Sequence, residues 1–439
     1  MSTEPLRRSS VTSRLRAGLG GLGGLPSAFW VLWAGTLVNR IGTMVQPFFA
    51  LYLTTSRGFS VASAGGLLAL FAVGQVFSQL IAGALADRFG RRTTLLGGML
   101  ASAALMVALA GSDSIGAFAV ELFLLGVAID VYRPASTALV ADLIPGQDRT
   151  RAYSLLFWAV NLGYTAGVLI GGVLVKFGFQ WLFWVDAASC AAFGLMVWFA
   201  VSETAPARAP AAVAAAGKRA EGLGTVLRDK VMTAFVLTTS GYAFVYMQTM
   251  STLPLAMRAE GLSPAAFGVA MAVNGVVISV VQPLAASRLS RADLNKVLVA
   301  GMVLVGVGFG LNSLASSPFG FSATTVIWSL GEIAFTGASA ATAVALAPPH
   351  LRGRYSGVYG FAWSLGGLPA PLVGAWLLGH GSATLWLACA AIGLGAALAQ
   401  YLLGPAVARR TTAVAAAEAA AAGTAESQVA AGPARSDDR

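Results

Sequence analysis

The chain has 439 residues, of which 57% are hydrophobic and only 10% charged, with a mean hydropathy of +0.75 and a formal net charge of +10. Soluble domains carry about a quarter charged residues, so this chain cannot cover its apolar surface with a polar shell and reads as an integral membrane protein. The basic residues sit in short clusters between apolar runs, with no basic face carrying stacking aromatics, which argues against nucleic acid as a partner.

Residues 1–27 form an Arg-containing tail. The apolar run that follows is too long for a signal-peptide h-region and lacks a clear small-residue cleavage site, so it is expected to stay as the first span. In chain order the apolar runs fall near 28–54, 62–86, 93–111, 115–140, 153–176 and 180–200, then near 230–258, 264–288, 295–314, 319–345, 354–379 and 383–404. Such runs suit helices of ~20 residues crossing a ~30 Å hydrocarbon core. The polar, Ala- and Pro-rich segment 202–229 reads as a flexible linker, and the Ala-rich stretch 405–439 as a disordered tail. The expected fold class is therefore all-α integral membrane, with twelve helices in two six-helix bundles, 28–201 and 230–404.

Of the 28 Lys and Arg residues, Arg57, Lys176 and Arg258 fall in one set of alternate loops and Arg40 and Arg133 inside spans. All the others lie in the tails and the opposite loops, which by the positive-inside rule predicts both termini on the cytoplasmic side of a bacterial inner membrane. The halves also resemble each other at an offset of 203 residues: Ser60, Gly65 and Gln79 align with Ser263, Gly268 and Gln282. Arg149 and Arg151 align likewise with Arg352 and Arg354, Leu162-Gly163 with Leu365-Gly366, and Gly171 and Leu174 with Gly374 and Leu377. Duplication explains this together with the six-plus-six layout.

A charge at the centre of a span costs at least ~2.5–3.5 kcal/mol, so each one needs a partner, a wet cavity or a function. Glu332, about halfway along the tenth run with no basic residue within a helical turn, is the first choice for a proton-binding carboxylate. Arg40, next to Asn39 in the first run, is placed to anchor an anionic substrate or to pair with a carboxylate and release it on protonation. Asp130 and Arg133, three apart, are read either as a structural ion pair or as coupling residues. Glu121 and Asp186, each six residues in from the outer end of its run, are expected to reach water. Asn39, Glu121, Asn161, Tyr164, Asp186, Tyr242, Tyr246, Gln248, Asn274 and Trp363 form the candidate substrate cavity. Cys190 and Cys389 lie inside apolar runs and read as packing residues; no cofactor or metal is expected.

One polar stretch interrupts the apolar pattern: GALADRFGRRTTLLGG, between the second and third runs. With Gly83, Asp87, Arg88, Gly90, Arg91 and Arg92 at its spacing, it resembles the loop signature of the major facilitator superfamily. The resemblance covers nearly the whole chain through the twelve-span layout, and implies alternating access with this loop as a conformational latch. GYTAGVLIGG in the fifth run, with Gly163, Gly167, Gly171 and Gly172, is similar to the glycine motif of drug:proton antiporters, though Val168 stands where proline is usual. The same glycines also suit a close helix crossing.

NRIGTMVQPFFALYL, DVYRPASTALVADLIP and DKVMTAFVLTTSGYAF look like bacterial multidrug exporters of that superfamily. The arginine usual before the fourth-span glycine is absent, and Glu121 precedes Gly126 instead. The resemblance implies a non-enzymatic, monomeric exporter of amphipathic drugs or secondary metabolites, embedded in a lipid bilayer and driven by protons. A symporter importing a small polar metabolite is the alternative. A membrane enzyme or sensor is more remote, since His350 and His380 lie at span edges and no HExxH or CxxC motif is present.

Overall fold

The structure, a computed structural model, describes residues 25–144, 146–202, 226, 228–289, 292–348 and 351–430. The amino-terminal tail to residue 24 and nearly all of the expected linker lie outside the described residues. Helices account for all of the regular structure described. The first half contains α1 (Ser27–Gly42), α2 (Val61–Phe89), α3 (Arg91–Gly111), α4 (Ile115–Ile129), α5 (Tyr132–Leu143), α6 (Gly146–Leu174) and α7 (Gln180–Ala200). The second contains α8 (Lys230–Ser251), α9 (Leu253–Ala259), α10 (Pro264–Leu289), α11 (Leu294–Leu311), α12 (Pro318–Leu346), α13 (Arg352–Gly367), α14 (Ala370–Gly379) and α15 (Ser382–Ala430).

Nine of the described helical stretches are long and apolar enough to cross a membrane. The first, fourth and seventh expected runs complete the set of twelve, and each is broken inside its length. The first gives way after Gly42 to short turns over Gln46–Phe48, Phe49–Leu51 and Tyr52–Ser56, with Pro47 at the start of the first of them. The fourth breaks between α4 and α5 at Asp130 and Val131. Pro134 has no backbone N–H to offer the Asp130 carbonyl, which accepts from Arg133 instead, at 3.1 Å. The seventh breaks at Thr252, ahead of Pro254. The eleventh run is likewise divided, at Leu368 and Pro369.

At the other end of the chain, α15 runs on to Ala430, past the expected boundary at 404 and into the stretch read as a disordered tail. The AAAEAAAA sequence there is rich in the strongest helix formers.

The halves pack on each other through α2 against α14 and α6 against α10. Their contacts use small residues: a methyl group on Gly172 would lie 3.2 Å from the Ala265 Cα. Phe48 meets Phe267 edge-on across the same seam, with ring centroids 5.3 Å apart. One continuous apolar cluster runs from Met44 and Phe48 in the first half to Met257 and Phe267 in the second. The seam closes the end bearing the loops that follow the first, fifth, seventh and eleventh spans.

Candidate functional site

Among the described residues, two buried clusters built around mid-span charged side chains interrupt the apolar interior, one in each half, and both draw on corresponding spans. In the second half Glu332 projects from the middle of α12. Its Oε1 accepts the Tyr246 hydroxyl of α8 at 2.8 Å, and its Oε2 accepts the Asn274 amide of α10 at 2.9 Å. The same amide donates to Ser329 Oγ at 2.9 Å, fixing the side chain between two acceptors on α12. Both donors to the carboxylate are neutral.

Around this carboxylate stand aromatic rings. Tyr242 stacks on Phe335 with centroids 3.6 Å apart and on Tyr246 at 6.0 Å, while Trp363 sits edge-on to both tyrosines at 5.9 and 6.0 Å. The buried Tyr242 hydroxyl makes no hydrogen bond with the described residues. Tyr164, from α6 of the other half, feels the Glu332 charge and points its hydroxyl at Met250 Sδ, 3.7 Å away. The structure thus brings together Glu332, Tyr164, Tyr242, Tyr246, Asn274 and Trp363, all singled out in the sequence. Ser329 and Phe335 were not singled out. Both are three residues from Glu332, the spacing that shares a helix face, and that was the available signal.

In the first half, Asp130 ends α4 and takes the corresponding contact from the second span: Gln75 Nε2 donates to its Oδ2 at 3.1 Å. Unlike Glu332 it also meets a cation, Arg133 Nε, at 2.9 Å from Oδ1. Arg40 of α1 lies over the Tyr132 ring at 5.5 Å and interacts electrostatically with Asp130, Asp186 and Arg133. Asn39 donates to Cys190 Sγ at 3.3 Å, and that thiol faces Asp186 Oδ1 at 3.5 Å. Asp186 was expected to reach water from the outer end of its span, whereas it is completely buried beside this network. A cavity of ≈ 30 Å³ lies between Asn39, Arg40, Gln75, Asp130, Arg133 and Cys190.

Three sequence candidates stand outside both clusters. Glu121 accepts the Ser112 hydroxyl at 2.6 and 2.7 Å, and Asn161 donates to the Phe157 carbonyl of its own helix at 2.8 Å. Gln248 is fully buried and ties α8 to the Ala370 carbonyl at 3.2 Å.

The glycines of α6 line a close crossing with α1. Methyl groups on Gly163, Gly167 and Gly171 would lie 2.6 Å from Arg40 Cβ, 2.5 Å from the Ile41 carbonyl oxygen and 3.1 Å from Met44 Cβ, respectively. Gly172 instead faces α10 across the seam.

In the loop signature, α2 runs through Gly83 and Asp87, the Asp87 side chain lying outside the described ones, and ends at Phe89. Gly90 follows at φ 88° and ψ 161°, a conformation reserved for glycine. Its carbonyl accepts the Thr94 hydroxyl at 2.7 Å as α3 begins. The Arg88 guanidinium lies 5.3 Å from the Phe89 ring centroid, and that of Arg92 stacks on Trp198 at 3.9 Å; Arg91 is half-buried.

The sequence profile of the Major Facilitator Superfamily matches residues 32–371 and 248–434. Multidrug resistance protein MdtH of Klebsiella pneumoniae (strain 342) is 28% identical over 370 residues, which are 82% of this chain and 89% of that protein. MdtH of Yersinia pestis (strain Pestoides F) is 29% identical over 358 residues, 80% of this chain and 87% of that one. Among solved structures, peptide transporter POT in complex with sulfate superposes with a TM-score of 0.72 at 16% identity, over 88% of this chain and 96% of that one. The nucleoside transporter NupG (D323A mutant) gives 0.70 at 13% identity, over 88% and 100%. Fold, span layout and sequence profile agree, and the chain is a multi-pass membrane transporter belonging to the Major Facilitator Superfamily.

Proposed function

We propose that this transporter exports amphipathic drugs or secondary metabolites in exchange for protons by alternating access. The observation that carries the reading is Glu332: a carboxylate at mid-span, held by two neutral donors and walled by aromatic rings. Without a cation to hold its charge, such a group gains and loses a proton readily as its surroundings change between wet and dry. The flat faces of Tyr242, Tyr246 and Trp363 suit apolar rings of varied shape. Substrate and proton then compete for one pocket, and competition of that kind produces exchange. The MdtH relatives, named for multidrug resistance, support the substrate class.

The basic loops orient the chain with both termini in the cytoplasm of a bacterial inner membrane, so the closed seam faces outward and substrate is loaded from the inside. Arg40, Asp130 and Arg133 form the companion charge cluster, and the Gly83–Arg92 loop acts as the latch between states. The chain works as a monomer. Each charge moved inward provides about 2.3 kcal/mol per 100 mV.

The test is transport by the purified chain in proteoliposomes under an imposed pH gradient, with a panel of cationic dyes and antibiotics. Export predicts substrate movement opposite to the proton flow, abolished by Glu332→Gln. Movement along the proton flow would replace export with import of a small metabolite.

A further inference from the structure

The first-half cluster contains two buried groups whose hydrogen bonding is incomplete. Asp186 is completely buried on α7, and its Oδ2 makes no hydrogen bond with the described residues; Oδ1 has only the long contact with the Cys190 thiol. Arg40 Nε is likewise buried without a hydrogen-bond partner, and Arg40 lines the ≈ 30 Å³ cavity. A buried, unpaired ionised carboxylate is costly, and the usual remedies are a proton or a cation. Both are within reach of Asp186. Arg40 interacts with it electrostatically, and the cavity beside Arg40 and Cys190 is polar and large enough for a water molecule.

The neighbours of Asp186 define the competition. From α1 come Asn39 and Arg40. From the fourth span come Asp130 and Tyr132, with Arg133 on the far side of Asp130. On its own helix lies Cys190. α3, which also packs against α7, offers Met99 and Leu96 against Gly194, and its two basic residues, Arg91 and Arg92, lie at its first turn, with Arg92 over Trp198, three turns from Asp186. Among the described residues Arg40 is therefore the one cation placed to serve Asp186, and it interacts with two carboxylates. Asp130 already has Arg133 and the Gln75 amide. Asp186 has neither.

We propose that Asp186 is a second proton-binding carboxylate of the transport cycle, which exchanges a proton for the Arg40 guanidinium. With the proton on Oδ2, Asp186 is neutral and Arg40 belongs to Asp130. When the proton leaves through the cavity, Arg40 turns to Asp186, and Asp130 keeps Arg133. In the protonated arrangement two guanidiniums share the Asp130 carboxylate, and in the deprotonated one each guanidinium has a carboxylate of its own, so the swap draws α1 against α7 or against the α4–α5 break according to protonation. The inference rests on the proton-coupled reading of the transporter and gives its first half a titrating group of its own.

The experiment is pH-difference infrared spectroscopy of the full chain in lipid nanodiscs, in H2O and D2O, with no substrate added. The wild type is expected to show two titrating protonated-carboxyl bands. Glu332→Gln removes one of them, and Asp186→Asn removes the other and lowers proton uptake by one per chain. Cys190→Ala, which removes the thiol from Oδ1 and leaves the fold's packing nearly intact, is expected to move the midpoint of the second band alone to higher pH.

If Asp186→Asn retains every band, or fails to fold while Cys190→Ala moves none, the inference is overturned and Glu332 stands by itself. If Glu332→Gln changes nothing while Asp186→Asn removes a band, it is the function proposed for Glu332 that falls.

Discussion

A methyl group built on Gly65 would lie 2.7 Å from the carbonyl oxygen of Pro371, in the opposite half of the molecule. The counterpart 203 residues on, Gly268, meets the carbonyl of Val168 at 3.0 Å, and Val168 is itself the counterpart of Pro371. The two seams between the halves are thus one contact made twice, each a glycine against a backbone carbonyl. A larger side chain at either position forces the seam apart. Overpacking of this kind costs ~1–3 kcal/mol, which shifts a two-state equilibrium roughly 5- to 150-fold. Gly65→Val and Gly268→Val are therefore expected to favour the state open at this end. Labelling of single cysteines introduced along α2 and α10 measures it: reactivity at this end should rise and transport should fall.

Tyr246 and Asn274 both stabilise the ionised form of Glu332 by donating to it. A hydrogen bond to a charged group contributes about 1.5–3 kcal/mol, and one pH unit corresponds to about 1.36 kcal/mol. Losing the donor favours the protonated carboxyl, so Tyr246→Phe should move the midpoint of the pH–transport profile to higher pH. Glu332→Gln should flatten the profile while equilibrium binding of a dye persists. A Tyr246→Phe profile identical to wild type would take the hydroxyl out of coupling.

The spans and the C-terminal cluster were legible because their signals are local. A carboxylate alone in an apolar run is conspicuous, and aromatic residues at α-helical spacing share a face with it. Asp186 was misjudged for a physical reason. Distance from a span end measures depth along the membrane normal, whereas access to water depends on which face of the helix is covered, and α7 turns Asp186 towards α1. The breaks at Thr252 and in the fourth span had a signal in Pro254 and Pro134, masked by the continuous hydropathy around them. The repeat had a clearer meaning than its few identities suggested. Gly163 packs on Leu37 and Arg40, and its counterpart Gly366 packs on Ser240 and Ala243, their own counterparts. The duplicated crossing was kept, but Arg40 has alanine as its partner, so the charge belongs to one half alone.

Gly90 joins α2 to α3 at φ 88° and ψ 161°, where a side chain is strained. Gly90→Ala should cost on the order of 1–3 kcal/mol of local stability, enough to loosen the loop without unfolding the spans. The expected result is a slower transport rate with unchanged dye affinity, together with faster amide hydrogen exchange over the described residues 88–94. Unaltered exchange and rate would show that the turn tolerates a side chain and would take its shape out of the latch role proposed for this loop.

Gln248 was a candidate for the substrate pocket, but its side chain is spent on the protein itself. Its amide donates to the Phe244 and Ala370 carbonyls at 3.2 Å each, and its Oε1 accepts the Thr252 hydroxyl at 2.7 Å, beside the break between α8 and α9. Only the bond to Ala370 crosses to α14, and hydrogen bonds between membrane helices average about 0.6 kcal/mol and reach about 1.7, so losing it should weaken the α8–α14 contact by about 0.6–1.7 kcal/mol. Gln248→Leu keeps the volume close to constant and isolates that loss. It should lower the melting temperature in detergent while leaving the order of preference among transported dyes as it was. A changed order of preference, with the melting temperature unmoved, would place Gln248 on the surface that substrates touch.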